Sequence, residues 1–372
     1  MRIGFISTME GEPWGGSEEL WSQTAAHFLA AGGHTVGVNV ARWPQTPAKI
    51  QSLKESGSLT TLRPRQNDLL HNRLRRVTGD RRFAWLQMFR PDFVVLSQGS
   101  TRDAQGWARA CCEKNIRFVT ITQAVYSNDW PSTTDLHEYS WAYEKALATF
   151  FVSQDNLHFA RQQLLQPLKN ASVVRNPFNV PHDIKIPWPE NDIPLKLACV
   201  GRLHFPTKAQ DVIIDVLREP KWRERALEVT LFGNGFYRAN IEKMIAMHKI
   251  TNVRLGGHVA DVASIWREHH ALLLPSREEG LPLAVVEALL CARPCIVTDV
   301  AGNTELVQDG INGFVAPAPR ARSVDATLER VWEKRAELQK MGEFGAQSVR
   351  EHVPADPGLF FYEQLLKLFR EA

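Results

Sequence analysis

The sequence is short of cysteine: five in 372 residues, at Cys111, Cys112, Cys199, Cys291 and Cys295. An odd number scattered over a long chain does not make a disulfide framework, so a reducing, cytosolic compartment is expected. Cys291 and Cys295 lack a second Cys/His pair at zinc-finger spacing and read as small buried hydrophobes, as do the adjacent Cys111 and Cys112. No apolar run approaches the roughly 20 residues that span a bilayer. Met1 to Met9 has one basic residue and only a short apolar stretch, which reads as a first β-strand rather than a secretory leader. Internal repeats and low-complexity tracts are also missing. A 44% hydrophobic, 23% charged composition excludes disordered and fibrous classes. Net charge is only +3, but it divides unevenly: residues 1–180 carry 20 Lys+Arg against 15 Asp+Glu, and the remainder is slightly acidic.

A chain of this length holds about two domains. Ile3 to Ser7, an amphipathic stretch from Ser17 to Ala31, and Thr35 to Val40 form a strand-helix-strand unit. Phe93 to Ser97, Arg117 to Thr122 and Thr149 to Ser153 continue the alternation, which predicts a parallel sheet covered by helices on both faces. Between Asn176 and Pro194, five prolines in nineteen residues interrupt all periodicity and mark a linker. Strands are expected again at Leu195 to Val200, Glu228 to Gly233, Val253 to Leu255, Ala271 to Leu274 and Pro294 to Thr298, and Phe360 to Phe369 reads as an amphipathic helix. Open α/β sheets bind ligands beyond the carboxyl ends of their strands, so the loops there are the places to look.

Three loops carry candidate chemistry. Trp14-Gly15-Gly16-Ser17 opens the first helix, where closely approachable backbone and free N–H groups suit an anion; a plain turn is the alternative. No G-x-G-x-x-G follows the first strand, which argues against a nicotinamide dehydrogenase. The loop from Gly201 to Asp211 presents Arg202 and Lys208 between a strand and a helix opening near Gln210, suited to a diphosphate: Arg202 forks onto two oxygens and Lys208 acts as a point charge. In Pro275 to Leu289, Glu279 closes a loop, Pro282 suits a first helical turn and Glu287 sits inside an apolar helix. A carboxylate there is costly unless satisfied, as the hydroxyls of a sugar or ribose would do.

At these residues the chain resembles a family. SREEGLPLAVVEAL is similar to the E-x7-E element of the retaining, nucleotide-sugar-dependent glycosyltransferases of the GT-B fold, the family 4 group. GRLHFPTKAQD resembles its G-R-x-x-x-x-K-G-x-D diphosphate loop, and PWGGSEE with AAGGHTVGV its N-terminal glycine elements. The resemblance implies an α/β chain of two doubly wound Rossmann-like domains facing a central cleft. Residues 1–180 would bind acceptor, residues 181–355 the nucleotide sugar, and residues 356–372 would form a helix crossing back onto the first domain. It implies that Arg202 and Lys208 hold the donor diphosphate, with Gly15 and Gly16 offering backbone N–H from the opposite domain. Glu279 would contact sugar hydroxyls beside Gly280, Leu281, Pro282 and Leu283, Glu287 the ribose, and His258 and Val259 the base. Proline at 282 removes one N–H from that set. The implied donor is a UDP-sugar or GDP-sugar, with no cofactor and no metal. In keeping with that, the chain contains no Asp-x-Asp, the manganese-binding motif of the other main glycosyltransferase fold.

Where many relatives carry a histidine near the sugar, this chain has Gln123, a catalytic position whose amide hydrogen-bonds but does not titrate. General-base duty would then fall to the leaving phosphate or another group. Asp129 is a candidate acceptor contact or a turn residue. Eight arginines lie between Arg63 and Arg90 (Arg63, Arg65, Arg73, Arg75, Arg76, Arg81, Arg82 and Arg90). They form either a solvated helical face or a peripheral contact with an anionic membrane or phosphorylated lipid-linked acceptor. Phe83, Trp85 and Phe89 among them are core or a stacking platform, and no nucleic-acid motif is present. The expected activity is transfer of a sugar, with retention, to a hydroxyl acceptor in polysaccharide, glycolipid or lipid-linked oligosaccharide assembly. The alternatives are a catalytically silent sugar-nucleotide-binding protein and a sugar-nucleotide epimerase of the same fold.

Overall fold

Parallel sheets buried on both faces need strands that are apolar almost throughout, and two such sets of strands are present. A computed structural model describes residues 1–65, 83–190 and 193–371. Contacts divide the chain into two compact units, Met1–Pro177 with Asp356–Ala372, and Phe178–Ala355.

In the first unit the described strands are β1 (Arg2–Ser7), β2 (Thr35–Ala41), β3 (Leu59–Arg63), β4 (Phe93–Gln98), β5 (Arg117–Thr122), β6 (Ala148–Phe151) and β7 (Ala171–Val173). They are ordered β3-β2-β1-β4-β5-β6-β7 and pair in parallel. One face packs on the helix Gly16–Ala31 through Leu20, Trp21, Ala25 and Phe28. The C-terminal helix Pro357–Glu371 joins the same core. Phe361 meets Phe150 edge-on at 4.8 Å, and Phe369 stacks on Phe93 at 4.0 Å. The other face is covered by Trp85, Phe89 and Trp107. Two rings lie flat on backbone that only glycine leaves open: a Cβ at Gly37 would stand 2.6 Å from the Phe89 ring, and one at Gly4 2.9 Å from Trp85.

In the second unit, β8 (Leu195–Val200), β9 (Leu227–Phe232), β10 (Val253–Gly257), β11 (Ala271–Leu274), β12 (Cys295–Thr298) and β13 (Gly313–Ala316) are ordered β10-β9-β8-β11-β12-β13, again in parallel. The proline-rich segment is tied into this unit. Arg293, 1% exposed, donates to the carbonyls of Trp266, His269 and Pro187, and Arg350 donates to those of His182 and Ile184.

Both sheets reverse their strand order at the first strand: β1 lies between β2 and β4, and β8 between β9 and β11. The carboxyl ends of these strands are therefore the positions where loops diverge and leave room for a ligand.

Several expectations are revised by the structure. β3, β7 and β13 escape a search for apolar runs because β3 is a half-exposed edge, β7 is three residues long and β13 begins with glycine. Of the arginine-rich segment, Arg73, Arg75, Arg76, Arg81 and Arg82 lie outside the described residues. Arg63 is no surface charge: it is 6% exposed and bonded inside the first unit. Phe83, Trp85 and Phe89 are core rather than a stacking platform. All five cysteines are unbridged, and burial pushes the Cys111, Cys199 and Cys291 thiols up to about 12. No helix among the described residues is long and apolar enough to cross a membrane.

Candidate active site

The second unit brings two of the sequence-predicted loops together. β8 and β11 are neighbours, so the loop after β8 and the loop after β11 emerge side by side. Lys208 Nζ meets Glu279 Oε1 at 2.5 Å across seventy-one positions of sequence. Ser276 Oγ donates to the same carboxylate oxygen at 2.7 Å. Glu279 is buried and Lys208 half-buried, which shields the pair from the screening that makes surface ion pairs weak. Arg202 stands exposed at the start of the loop.

Three residues without a sequence-stated role hold this geometry. Arg277 forks onto Asp211 at 2.8 and 2.7 Å and also donates to the Phe205 carbonyl. Its backbone N–H bonds Thr207 O at 2.8 Å, so the two loops are joined by side chain and main chain alike. Gln210, fully buried, donates to Arg202 O and accepts from His204 N–H. Arg277, Asp211 and Gln210 all sit inside the recognised motifs, next to the residues that drew notice.

The helix expected near Gln210 is in fact two: Phe205–Lys208 and Gln210–Leu217, broken at Ala209, whose φ is +52°. That left-handed position explains the glycine in the family pattern, because a Cβ costs about 1 kcal/mol or more there. Behind the loop, a Cβ on Gly233 would lie 2.1 Å from Gly201 O, and one on Gly235 2.4 Å from Leu203 O. The loops after β8 and β9 thus touch backbone to backbone, and Phe232-Gly233-Asn234-Gly235 was a legible glycine signal that strand and charge patterns pass over.

Pro282 is the residue before the helix Leu283–Leu290, not within its first turn: its ψ of 125° is extended. Its missing N–H is therefore lost just outside the helix, and the N–H groups of Leu283 and Ala284 face outward from the helix start beside Gly280 and Leu281. Gly280 O accepts from Gly302 N–H at 3.0 Å, which steadies this turn. Glu287, 3% exposed, already has partners in the chain: Asn179 donates to Oε1 through both its backbone N–H and Nδ2 at 2.9 Å. Burial of Glu287 therefore does not by itself require a ligand hydroxyl, as its position in an apolar helix had suggested. His258 is exposed and Val259 half-buried just past the end of β10.

Family comparison decides what these loops belong to. The model of the family described as glycosyl transferases group 1 matches residues 194–334. Over that segment the chain is similar to glycosyl transferases group 1. An uncharacterized glycosyltransferase of Methanocaldococcus jannaschii is 32% identical over 161 residues, 42% of this chain and 43% of that protein. The alpha-D-kanosaminyltransferase of Streptomyces kanamyceticus is 28% identical over 150 residues, 40% of this chain and 39% of that one. The matched region thus spans less than half of either relative. Over the whole chain the fold is that of the GT-B glycosyltransferases. Anabaena HepE, solved in complex with UDP, superposes with a TM-score of 0.77 at 17% identity, covering 100% of both chains. Sucrose-phosphate synthase from Thermosynechococcus elongatus gives 0.76 at 15%, again covering both chains.

Outside the matched segment, the first unit places its predicted residues as follows. Gly15 is the extended residue preceding the helix that begins at Gly16. Gln123 follows β5 and is buried; its Oε1 accepts from Asn176 Nδ2 at 2.7 Å, and its Nε2 has no partner among the described residues. Asp129 pairs with Arg102 at 2.9 Å.

Proposed function

We propose that the protein transfers a sugar from a nucleoside diphosphate to a hydroxyl acceptor, with retention at the anomeric carbon and without a metal. The Lys208–Glu279 contact carries this reading, because it joins at one sheet edge a cation suited to a diphosphate and a carboxylate suited to sugar hydroxyls. In the reaction the bond from the anomeric carbon to the diphosphate oxygen breaks, and its electrons leave with the nucleoside diphosphate. The acceptor oxygen bonds to the same carbon, and its proton passes to the departing phosphate. Negative charge grows on the diphosphate, so Arg202 and Lys208 act where the transition state exceeds the ground state in charge. Glu279, steadied by Ser276, orients the sugar, with Gly280, Leu281 and Leu283 alongside. Glu287 is assigned to the ribose, and His258 and Val259 to the base, on the sequence resemblance. Gly15 and Gly16 are assigned to the donor, and Gln123 to the reacting sugar, on the sequence resemblance.

The acceptor is proposed to be a glycan, glycolipid or small molecule, and the donor a UDP-sugar or GDP-sugar. A cytosolic location with peripheral membrane contact belongs to the same reading, with Arg90 as its exposed candidate among the described residues, since Arg63 is bonded internally and Arg65 is half-buried against Trp43. A thermal-shift screen of nucleoside diphosphates and their sugars tests the donor site, since a ligand at 100 times its Kd adds about 2.7 kcal/mol of apparent stability. Stabilisation by one nucleotide class is expected, and no response to any would defeat the assignment. Tight binding with no transfer or donor hydrolysis would indicate a silent binding protein, and an altered sugar without acceptor would indicate an epimerase.

A further inference from the structure

The carboxyl edge of the first sheet carries buried polar side chains that the fold leaves incompletely bonded. Along a strand, side chains two positions apart share a face. Phe5, Val95, Ile121 and Val174 all pack in the core beneath the helix Gly16–Ala31, and the next residues on that face are Ser7, Ser97, Gln123 and Asn176. The face thus turns from apolar to polar at the level where the strands end and open α/β sheets bind their ligands. Ser7 donates its hydroxyl to Glu18 Oε1 at 2.8 Å. Ser97 is fully buried, and its Oγ has no partner among the described residues. Gln123 and Asn176, each 7% exposed, share one hydrogen bond, from Asn176 Nδ2 to Gln123 Oε1 at 2.7 Å. Gln123 Nε2 and Asn176 Oδ1 are left without partners among the described residues.

Gln98, whose carbonyl accepts from Gln123 N–H at 3.0 Å, is the contrasting case at the same edge. Its whole amide is used inside the unit: Nε2 donates to Thr122 Oγ1 and Tyr143 OH at 2.9 and 2.8 Å, and Oε1 accepts from Ala104 N–H at 2.9 Å. Gln123 is the one side-chain amide among the described residues whose buried NH2 group donates to nothing. An orphaned buried donor is rarer than an under-used carbonyl, and it marks a place where another group belongs. Turning both amides over would exchange their roles and still leave one NH2 and one C=O open, so the need does not depend on which way they point.

We propose that Asn176 is a positioning residue that holds the Gln123 amide at this edge, and that the pair reads a hydroxyl of the donor sugar, with Ser97 as a third contact. The inference rests on the reading that assigns Gln123 to the reacting sugar. The open atoms select the ligand. Phosphate and carboxylate only accept and ammonium only donates, so each would leave half of the pair unsatisfied, whereas a hydroxyl does both. Ser97 stands on the neighbouring strand, paired in the ladder with Ile121, two positions before Gln123, and its hydroxyl also both donates and accepts.

The test is calorimetric titration of UDP, UDP-glucose, UDP-galactose, UDP-N-acetylglucosamine, GDP and GDP-mannose into the wild-type chain. The sugar nucleotide that gains most over its own nucleotide is then titrated, beside that nucleotide, into Ser97→Ala, Gln123→Met, Asn176→Leu and the double variant of the last two. Gln123→Met and Asn176→Leu should each weaken the sugar nucleotide about tenfold and change the nucleotide alone less than about twofold. The double variant should lie within about twofold of either single one, because the two amides act as a unit. Ser97→Ala should weaken the sugar nucleotide about threefold. Urea unfolding without ligand gives the readout that a purely structural role would reverse. The midpoints of Ser97→Ala and of the double variant should hold or rise, since an unpartnered hydroxyl is lost in one and both amides give way to apolar groups of like shape in the other. Equal weakening of nucleotide and sugar nucleotide, additive losses in the double variant, unchanged sugar-nucleotide affinity in Asn176→Leu, or no gain from any sugar over its nucleotide would each overturn the proposal. The double variant and Ser97→Ala decide the matter if a single variant does not fold. Failure of every nucleotide and sugar nucleotide to bind the wild type would instead refute the donor-site reading.

Discussion

The loops that follow the first strand of each sheet occupy equivalent places and are built from different interactions. After β8, the loop is held by ion pairs to its neighbour, Lys208 to Glu279 and Arg277 to Asp211. After β1, it is held by buried groups drawn from β2, β3 and the following helix, with Arg63 and Glu18 almost completely enclosed. Lys208, the more open member of its pair at 18% of its side-chain surface, can turn its ammonium to a ligand phosphate while Ser276 still donates to Glu279. A buried guanidinium bonded to three oxygens cannot, since every lost bond leaves a desolvated group behind. The first kind of loop is suited to contact with the substrate, and the second to fixed positioning of backbone.

The largest effect expected from breaking this contrast is on turnover. Lys208→Ala removes the cation proposed to meet the growing diphosphate charge and leaves Glu279 buried without that cation. Turnover should fall about 100-fold or more in a product-release assay, with a much smaller fall for Arg63→Lys, whose site lies in the other kind of loop. Close behind come the glycines. Gly233→Ala forces a Cβ to 2.1 Å from a backbone carbonyl at a φ of +126°, and neither can yield; a loss of at least about 3 kcal/mol in urea unfolding is expected. Gly37→Ala meets only the Phe89 ring, at 2.6 Å, which can shift, and should cost about 1–3 kcal/mol. Equal costs would mean that the loops after β8 and β9 are less closely apposed than described.

Legibility in the sequence followed the same division. Strands β1, β2, β4 and β5 are nearly continuous apolar runs, and β8, β9 and β11 likewise, so the two parallel sheets could be read from apolar periodicity. Arg202, Lys208 and Glu279 were also found, because a ligand-facing loop concentrates its chemistry in a few consecutive residues. What supports them was not found. Arg277 acts through contacts set by strand adjacency, which no local pattern encodes, and Gln210 through bonds to Arg202 and His204 of its own loop. In the first unit the difficulty is greater: Ser7, Asn39 and Arg63 lie on three strands, and Arg63 was grouped with an arginine-rich run on charge count alone. Glu287 shows the reverse case. Its burial was legible, but its partner Asn179, 108 positions away, was not, so burial alone is no argument for a ligand there.

The buried carboxyl of the first unit, Glu18, should be visible in stability. Glu18 rises from the ordinary 4.5 to about 7, so between those values the folded chain holds a proton that the unfolded chain has released. Its contribution therefore favours folding less and less as pH climbs from about 4.5 to about 7, and stays at its reduced level above that. The span amounts to about 3 kcal/mol at most. Urea unfolding of wild type and Glu18→Gln at several pH values isolates it, since all other titrations are shared. The variant should gain on the wild type as pH rises, and a constant difference between them would show that Glu18 is ionised throughout.

The smallest effect is expected where the second unit uses an ion pair for support rather than for substrate. Arg277 and Asp211 are each about one-third exposed, at 33% and 30% of their side-chain surface, so solvent screens much of their attraction. A double-mutant cycle with Arg277→Ala and Asp211→Ala should give a coupling of about 1 kcal/mol or less in unfolding. The donor affinity should nevertheless drop several-fold in either single variant, because Arg277 joins the loop of Lys208 to the loop of Glu279. Stability and binding are thus predicted to separate here. In the first unit they should fall together when Arg63 is truncated, since its bonds are both the anchor of the loop and part of the core. Parallel losses at both arginines would erase the distinction between a loop held by exchangeable charge and one held by buried structure.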